Sequence, residues 1–186
     1  MRKLIVVLFL SLFVFGCSSK NSILNLHSYN AISKSAPIFK SIYISDVKDS
    51  RESKNLVGTI KDGDGNIKEY IVLNQSLDLW FKDALSKELN SRGISVETNP
   101  AASVDAIVKA DISKFNAILM GFDKENLSGE AAVAIELKKA DKSITKQISQ
   151  KQSEFVVIKN SSAFSPFMLN LLNDIVVKSA ENIENS

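Results

Sequence analysis

The chain has 186 residues, of which 45% are apolar and 24% are charged, with seven glycines, three prolines and one cysteine. This composition is typical of one modest globular domain and excludes a disulfide scaffold, a collagen-like chain and a highly charged disordered chain. The formal net charge is +2, and Arg2 and Lys3 account for it. The rest of the chain has 21 basic and 21 acidic residues, a balance that argues against nucleic acid or an anionic surface as the main partner.

The N-terminus has the pattern of a secretory signal. Arg2 and Lys3 precede an almost uniformly apolar run at residues 4–15. A transmembrane helix needs about 20 apolar residues, so this run is too short to be one. We therefore predict that residues 1–16 are a signal peptide and lie outside the fold.

The apolar run ends in the tetrapeptide Val14-Phe15-Gly16-Cys17, which resembles the lipobox of bacterial lipoproteins. The resemblance implies that Cys17 becomes the first residue of the mature chain and carries acyl chains, which anchor a protein stably to a membrane. The alternatives are a free core cysteine and a short membrane anchor, but lipidation accounts for a thiol that has no disulfide partner. Ser18, in place of Asp, implies sorting to the outer membrane under the enterobacterial convention.

Residues 17–37 are rich in Ser, Asn and Lys and have no helical period, which predicts a tether between the lipid and the domain. Residues 22–29 are more apolar than a tether requires, so they are a candidate edge strand. The single histidine, His27, lies among them. No Cys, His or carboxylate stands at ligand spacing from it, so no metal site is predicted.

Regular patterns begin after the tether. Alternating apolar residues predict strands at residues 39–47, 56–61 and 67–73. The segment from Asp62 to Asn66 carries the Asp-Gly signal of a hairpin between the last two strands. A calcium-binding loop counted from Asp62 is the alternative, but Ile67 and Leu73 occupy the positions where such a loop has Gly and Glu.

The strongest periodic segment predicts a helix over residues 77–92, with Ser76 as its N-cap and Gly93 just beyond its end. Its apolar residues recur at steps of three and four, and Trp80 is among them. A tryptophan in such a stripe indicates core packing, and the alternative is a side chain that stacks on a ligand.

The second half of the chain predicts a meander followed by a helix. Strands are expected at residues 94–98, 105–119, 130–138 and 144–158, and the last three are joined by turns too short for parallel crossovers. Ser165 and Pro166 predict the N-cap and first residue of a helix that runs to about Asn182.

Together these elements predict an α+β domain over residues 38–186. The expected architecture is an antiparallel sheet covered on one face by two amphipathic helices, a two-layer sandwich. Two binding surfaces follow from it: the exposed sheet face and the crevice beside Trp80.

Catalytic motifs are absent from the sequence. It has no G-x-S-x-G elbow and no glycine-rich phosphate loop, and its single histidine lies in the tether. We therefore expect no enzymatic activity and no cofactor. The polar pair to examine is Asp49 and Arg51, either as an interface ion pair or as structural residues that hold a strand end.

Several short stretches behind the lipobox resemble the YajG-type bacterial lipoproteins. They are Asp49-Ser50-Arg51, Val57-Gly58-Thr59-Ile60, the leucines Leu77, Leu85 and Leu89, and Arg92-Gly93-Ile94-Ser95-Val96. The resemblance implies an outer-membrane lipoprotein with no established enzymatic residues. The helix with Trp80 and Leu89 also resembles, more weakly, the auxiliary lipoproteins of lipid-trafficking ABC transporters.

These observations predict a lipid-anchored envelope protein that faces the periplasm and binds another envelope component, a protein or a lipid, without catalysis. The membrane contact would come from the acyl chains on Cys17. The alternative is a surface-exposed adhesin, which requires the lipoprotein to be turned outward.

Overall fold

The computed structural model describes residues 20–32, 40–121, 126–140 and 142–186. The predicted signal peptide and Cys17 therefore lie outside the described residues. Within the described residues, eight strands and two α-helices follow in chain order: β1 (Lys20–Leu24), β2 (Lys40–Asp49), β3 (Leu56–Lys61), β4 (Ile67–Leu73), α1 (Leu77–Ser91), β5 (Ile94–Glu97), β6 (Ala106–Leu119), β7 (Leu127–Lys139), β8 (Lys142–Glu154) and α2 (Phe164–Glu184).

The strands of the described residues form one curled, mixed sheet organised around β6. One edge of β6 pairs antiparallel with β7 along nearly its whole length, and β7 pairs antiparallel with β8. Along the other edge of β6 lie β2 and then β3, both parallel to it. Beyond them the sheet divides, because β5 extends β2 whereas β4 and β1 extend β3.

The sheet is therefore not purely antiparallel, and that part of the prediction is wrong. The short turns after β3, β6 and β7 do give antiparallel pairs. The parallel pairs of β2 and β3 with β6 arise because a long stretch of chain, including α1 and β5, separates those strands and allows a crossover. β1 with β4 and β2 with β5 are also parallel.

The two helices pack on the sheet and on each other, so the predicted two-layer arrangement is confirmed in part. α1 contacts β2 and β5, and α2 contacts β7 and β8. One apolar cluster joins the helices to the sheet, with its largest fully buried side chains at Phe81, Phe115, Phe164, Leu85, Leu89, Met168 and Leu171. The alternate side chains of β6, among them Lys109, Asn116 and Ile118, point to the other face and are exposed.

Two glycines allow the start of α2 to lie close to the sheet. A Cβ on Gly58 in β3 would lie 2.5 Å from the Phe164 ring, and a Cβ on Gly129 in β7 would lie 2.7 Å from the Phe167 ring. The first turn of α2 therefore places two aromatic rings directly on the backbone of two strands. This close contact sets the distance between the helix and the sheet.

The start of α2 and the end of β8 differ from the predicted boundaries. Ser165 is not an N-cap, because a 3₁₀ turn at Ser161–Ala163 precedes α2, and the Asn160 side chain accepts a hydrogen bond from the Ser162 N–H in that turn. Pro166 still lies in the first helical turn, where the missing N–H costs nothing. β8 ends at Glu154, four residues earlier than expected, and the chain that follows leaves the sheet.

Most of the described N-terminal segment belongs to the fold. β1 forms a parallel edge strand on β4, and Leu24, Leu26 and Tyr29 are buried in the common core. The strand ends at Leu24, and residues 25–32 continue without regular structure. The part of the predicted tether at residues 20–32 is therefore folded, whereas residues 17–19 and 33–37 lie outside the described residues.

Neither α1 nor α2, the helices of the described segments, combines the length and the apolarity that crossing a membrane requires.

Candidate binding surface

Asp49 and Arg51 lie at the break between β2 and β3. The Arg51 guanidinium holds the Asp49 carboxylate with two bonds, from Nε at 2.9 Å and from Nη2 at 2.8 Å. It also donates to three backbone carbonyls, those of Lys54, Leu56 and Phe115. These bonds engage all five N–H donors of the guanidinium.

The pair is buried as well as saturated. Both side chains are only 6% exposed, and the guanidinium carbon lies 5.9 Å from the centre of the Phe115 ring. The Ser50 N–H between them donates to the Ile112 carbonyl, so the backbone of the break stays attached to β6. This is the geometry of residues that hold a strand end, and it leaves neither side chain free to pair with a partner.

Beside this break the surface forms two adjoining depressions, which together we call the trough. The first has a volume of about 420 Å³ and lies between β3 and β6, and the second has about 590 Å³ and crosses β6, β7 and β8. Both are lined by Asn116 and Ile118 of β6. Other side chains that line the trough include Glu52, Ser53, Thr59, Lys114, Ser128, Glu130, Lys151 and Ser153.

Side chains of opposite charge lie next to each other across the trough. Glu130 in β7 lies 3.1 Å from the Lys114 ammonium and 3.9 Å from that of Lys151, on the strands to either side. The strand register places Asn116, Glu130 and Lys151 in one row. Because the two lysines are more than half exposed, these pairs contribute little to stability and their charges remain available to a partner.

Trp80, the third candidate interface residue, is covered by the N-terminal segment. Its indole N–H donates to the His27 carbonyl at 2.7 Å, and the Tyr29 ring meets it edge-on with centroids 6.2 Å apart. Only 8% of Trp80 is exposed. The chain itself therefore fills the expected crevice, and the open sheet face is the better candidate surface.

A buried polar network next to Trp80 is not among the predicted features. Glu88 in α1 is fully buried and accepts hydrogen bonds from the Tyr29 hydroxyl at 2.8 Å, the Ile32 N–H at 3.0 Å and Arg92 Nε at 3.0 Å. Arg92 also donates to Glu184 in α2 at 2.8 Å. The network thus joins the N-terminal segment to both helices.

The network shifts the pKa values of Tyr29 and Arg92. Burial raises the pKa of Tyr29 well above its ordinary value, and the hydrogen bond to the Glu88 carboxylate raises it further. Burial on its own would lower the pKa of Arg92, but its bonds to Glu184 and Glu88 raise that pKa overall. A signal for this network does exist in the sequence, since Glu88 stands four residues after Ala84 within the buried stripe of α1.

Across residues 20–32, 40–121, 126–140 and 142–186, no three His, Cys, Asp or Glu side chains are grouped to hold a metal ion. His27 has an exposed side chain, and only its carbonyl enters the contacts described above. The Asp62 to Asn66 segment forms the expected hairpin, with the Asp62 carboxylate accepting from the N–H groups of Asp64 and Asn66.

The fold and the trough define a class of protein: a small mixed α/β domain with two helices on a curled sheet and an exposed, polar sheet surface. A family model described as an uncharacterized lipoprotein, Lipoprotein_16, matches residues 32–178. The chain belongs to this lipoprotein family. Its closer relation to YajG-type or ABC-transport auxiliary lipoproteins stays a prediction.

Solved structures of similar fold support the architecture. One is a crystal structure of an uncharacterized protein, with 13% identity and a TM-score of 0.53, covering 91% of this chain and 100% of that one. Another is protein XCC0632 from Xanthomonas campestris, of the family DUF330, with 10% identity and a TM-score of 0.57, covering 87% of this chain and 93% of that one. At these identities the likeness shows the fold alone. No curated protein matches the sequence.

Proposed function

We propose that this lipoprotein is anchored to the outer membrane by acyl chains on Cys17, faces the periplasm, and binds another envelope protein without catalysis. Membership of a lipoprotein family supports the anchoring. The lipobox and Ser18 support acylation at Cys17 and transfer to the outer membrane.

The trough on the open sheet face is the observation that carries the binding role. It spans four strands, and the saturated Asp49–Arg51 pair fixes its shape at the strand break. Its lining combines exposed charges with the apolar side chain of Ile118, which is 37% exposed. A shallow polar surface with an apolar centre suits a protein partner, because protein interfaces place a polar rim around apolar contacts.

Site-specific photo-crosslinking in living cells tests this role. A photoreactive amino acid replaces Lys114 in the trough, and the matched control replaces Lys87 on the outer side of α1. Both lysines are exposed and each pairs with one acidic neighbour, Glu130 or Asp83. We expect a discrete crosslink to an outer-membrane or periplasmic protein from position 114 and none from position 87.

A substitution that fills the trough is the second part of this experiment. Ser128→Trp places an indole in the trough, and we expect it to abolish the crosslink from position 114 while the protein stays folded and membrane-bound. Equal crosslinking from positions 114 and 87, or a crosslink that survives Ser128→Trp, would rule out the trough as the binding surface. Cleavage of the domain by protease added to intact cells would instead support the surface-exposed adhesin.

A further inference from the structure

Four exposed apolar side chains lie at one end of the sheet, and we call them the apolar rim: Met120, Phe155, Val157 and Ile158. Their exposed fractions are 47%, 55%, 82% and 64%. Met120 follows the end of β6, and the other three follow the end of β8. Single exposed apolar residues are ordinary, but several at one end of a domain mark a contact surface.

The strand register places the apolar rim at the end of the sheet where the chain enters the fold. Starting from β1, successive partners are Lys20 with Glu69, Glu69 with Ile60, and Ile60 with Leu119. The same row continues through Leu127 to Glu154, the last residue of β8. Lys20 therefore lies at the same end of the sheet as Met120 and the segment 155–158.

Asn126 holds the apolar rim in place. Its side-chain amide donates to the Val156 carbonyl at 2.8 Å and accepts from the Val156 N–H at 2.8 Å, so it pairs with that residue as a neighbouring strand would. Its own carbonyl accepts from the Met120 N–H at 2.9 Å. Asn126 is only 3% exposed. Phe155 and Val157, on either side of Val156, are thus presented to solvent from an anchored backbone.

The distance to the proposed lipid is short. Three residue steps separate Cys17 from Lys20, and three extended residues span at most about 11 Å. If the acyl chains on Cys17 lie in a leaflet, Lys20 lies within about that distance of the headgroups. Met120 and the segment 155–158 lie at the same end of the sheet, three and five strands from β1, so they are near the membrane surface when that end of the sheet is turned toward it.

We propose that the apolar rim inserts into the phospholipid interface of the leaflet that holds the acyl chains, so that the domain lies directly on the membrane. The proposal rests on the acylation of Cys17 described under the proposed function. The occupant of the apolar rim is thus the bilayer, which accepts apolar side chains without requiring a shaped complement.

Spin labelling of the mature, full-length lipoprotein in vesicles of phosphatidylethanolamine and phosphatidylglycerol tests the proposal. Acylation blocks Cys17, so Val157→Cys provides a single thiol for a nitroxide. Ile144→Cys is the matched control: it is 45% exposed and stands ten residues before Glu154 on the same strand, about 33 Å away. The relaxation of the nitroxide is measured with oxygen, which concentrates in lipid, and with a nickel complex, which stays in water. The ratio of the two reports whether the label lies in lipid or in water.

We expect the label at position 157 to be several-fold more accessible to oxygen than to nickel, and the label at position 144 to show the reverse. Adding Phe155→Ser and Ile158→Ser should move the label at position 157 into water while the acyl chains keep the protein on the vesicles. Equal nickel accessibility at positions 157 and 144 would overturn the proposal.

Two further outcomes separate the causes of failure. Intact mass of the mature protein reports acylation independently, so an acylated protein with a water-exposed label at position 157 refutes the apolar rim and leaves the anchor standing. An unacylated Cys17 would overturn both. A label that is immobilised in outer-membrane fragments but water-exposed in vesicles would mean that a protein covers the apolar rim, which also overturns the proposal.

Discussion

Asp49 is the last residue of β2, and Arg51 lies in the break before β3. The Arg51 guanidinium donates to three backbone carbonyls around this break, and the Asp49 carboxylate balances its charge. A buried charge without a partner is costly, so each member of the pair stabilises the fold only in the presence of the other.

Replacing Arg51 by Lys should therefore destabilise the protein although it preserves the charge. An ammonium group has three donors and no planar fork, so it loses the two-bond contact with Asp49 and part of the carbonyl contacts. We expect the free energy of unfolding, measured in urea, to fall by about 2–4 kcal/mol.

The control for this substitution is Lys87→Met, which removes an exposed ion pair with Asp83. Its effect should stay below about 0.5 kcal/mol, because exposed pairs contribute little. An Arg51→Lys protein as stable as the wild type would show that the strand break does not depend on the guanidinium geometry.

The position of α2 depends on the backbone of the sheet as much as on the helix itself. Phe164 and Phe167 in its first turn lie where Cβ atoms on Gly58 and Gly129 would be. A protein core is packed densely enough that an added methyl group cannot be absorbed without movement. The two glycines are therefore packing residues, and neither has a positive φ.

A methyl group added at Gly58 should displace α2. We expect Gly58→Ala to lower the free energy of unfolding by about 1–3 kcal/mol, the usual effect of overpacking a core. Gly63→Ala, in the hairpin that follows the same strand, is the matched control, because a Cβ there meets nothing within 4 Å.

Thermal or urea unfolding of the two proteins compares the effects directly, and Gly63→Ala should change stability by less than about 1 kcal/mol. Equal stability of Gly58→Ala and Gly63→Ala would show that α2 does not pack tightly on β3.

At the scale of the whole molecule, the network of Tyr29, Glu88 and Arg92 fastens the N-terminal segment to both helices. Residues 20–32 contribute an edge strand at one side and buried contacts with α1 at the other. Folding of the domain and docking of this segment should therefore occur together, because the buried Glu88 carboxylate loses its Tyr29 and Ile32 donors when the segment leaves.

This network predicts a dependence of stability on alkaline pH. The pKa of Tyr29 is raised in the folded protein above its ordinary value of 10.0, so the folded state favours the neutral phenol. Its contribution is complete below that value and is lost as the pH rises above it, because only the unfolded chain releases the proton easily. The loss should reach about 1 kcal/mol one pH unit above the ordinary value.

Urea unfolding between about pH 8 and pH 11 measures this loss. Lysines also titrate toward the upper end of this range, but all the variants contain the same lysines, so the comparison between them is unaffected. Tyr29→Phe should be less stable at neutral pH by about 1 kcal/mol, because a hydrogen bond to a buried carboxylate is lost, and should decline less steeply above pH 10. Tyr43→Phe, on the half-buried surface of β2, keeps Tyr29 and should follow the wild-type profile. Identical alkaline slopes for Tyr29→Phe and the wild type would contradict the assignment.

Local patterns account for much of the architecture. The stripe around Trp80 predicts α1 to within one residue at its C-terminus, and the Asp-Gly signal predicts the hairpin between β3 and β4. Alternation predicts β6 almost to the residue, because one of its faces is buried and the other is wet. These features depend on residues that are close together in the sequence, so a local pattern is enough to predict them.

The sequence by itself determined the positions of the principal strands and helices, and it predicts the signal peptide and the lipobox at Cys17. Only the tertiary structure decided that β2 and β3 lie parallel on one edge of β6, since strand direction depends on which edge is free and not on periodicity. It also decided that the segment at residues 20–32 covers Trp80, and that the ends of β6 and β8 bring Met120 and Phe155 to the end where the chain enters. Such contacts join residues far apart in sequence, and no local pattern specifies them.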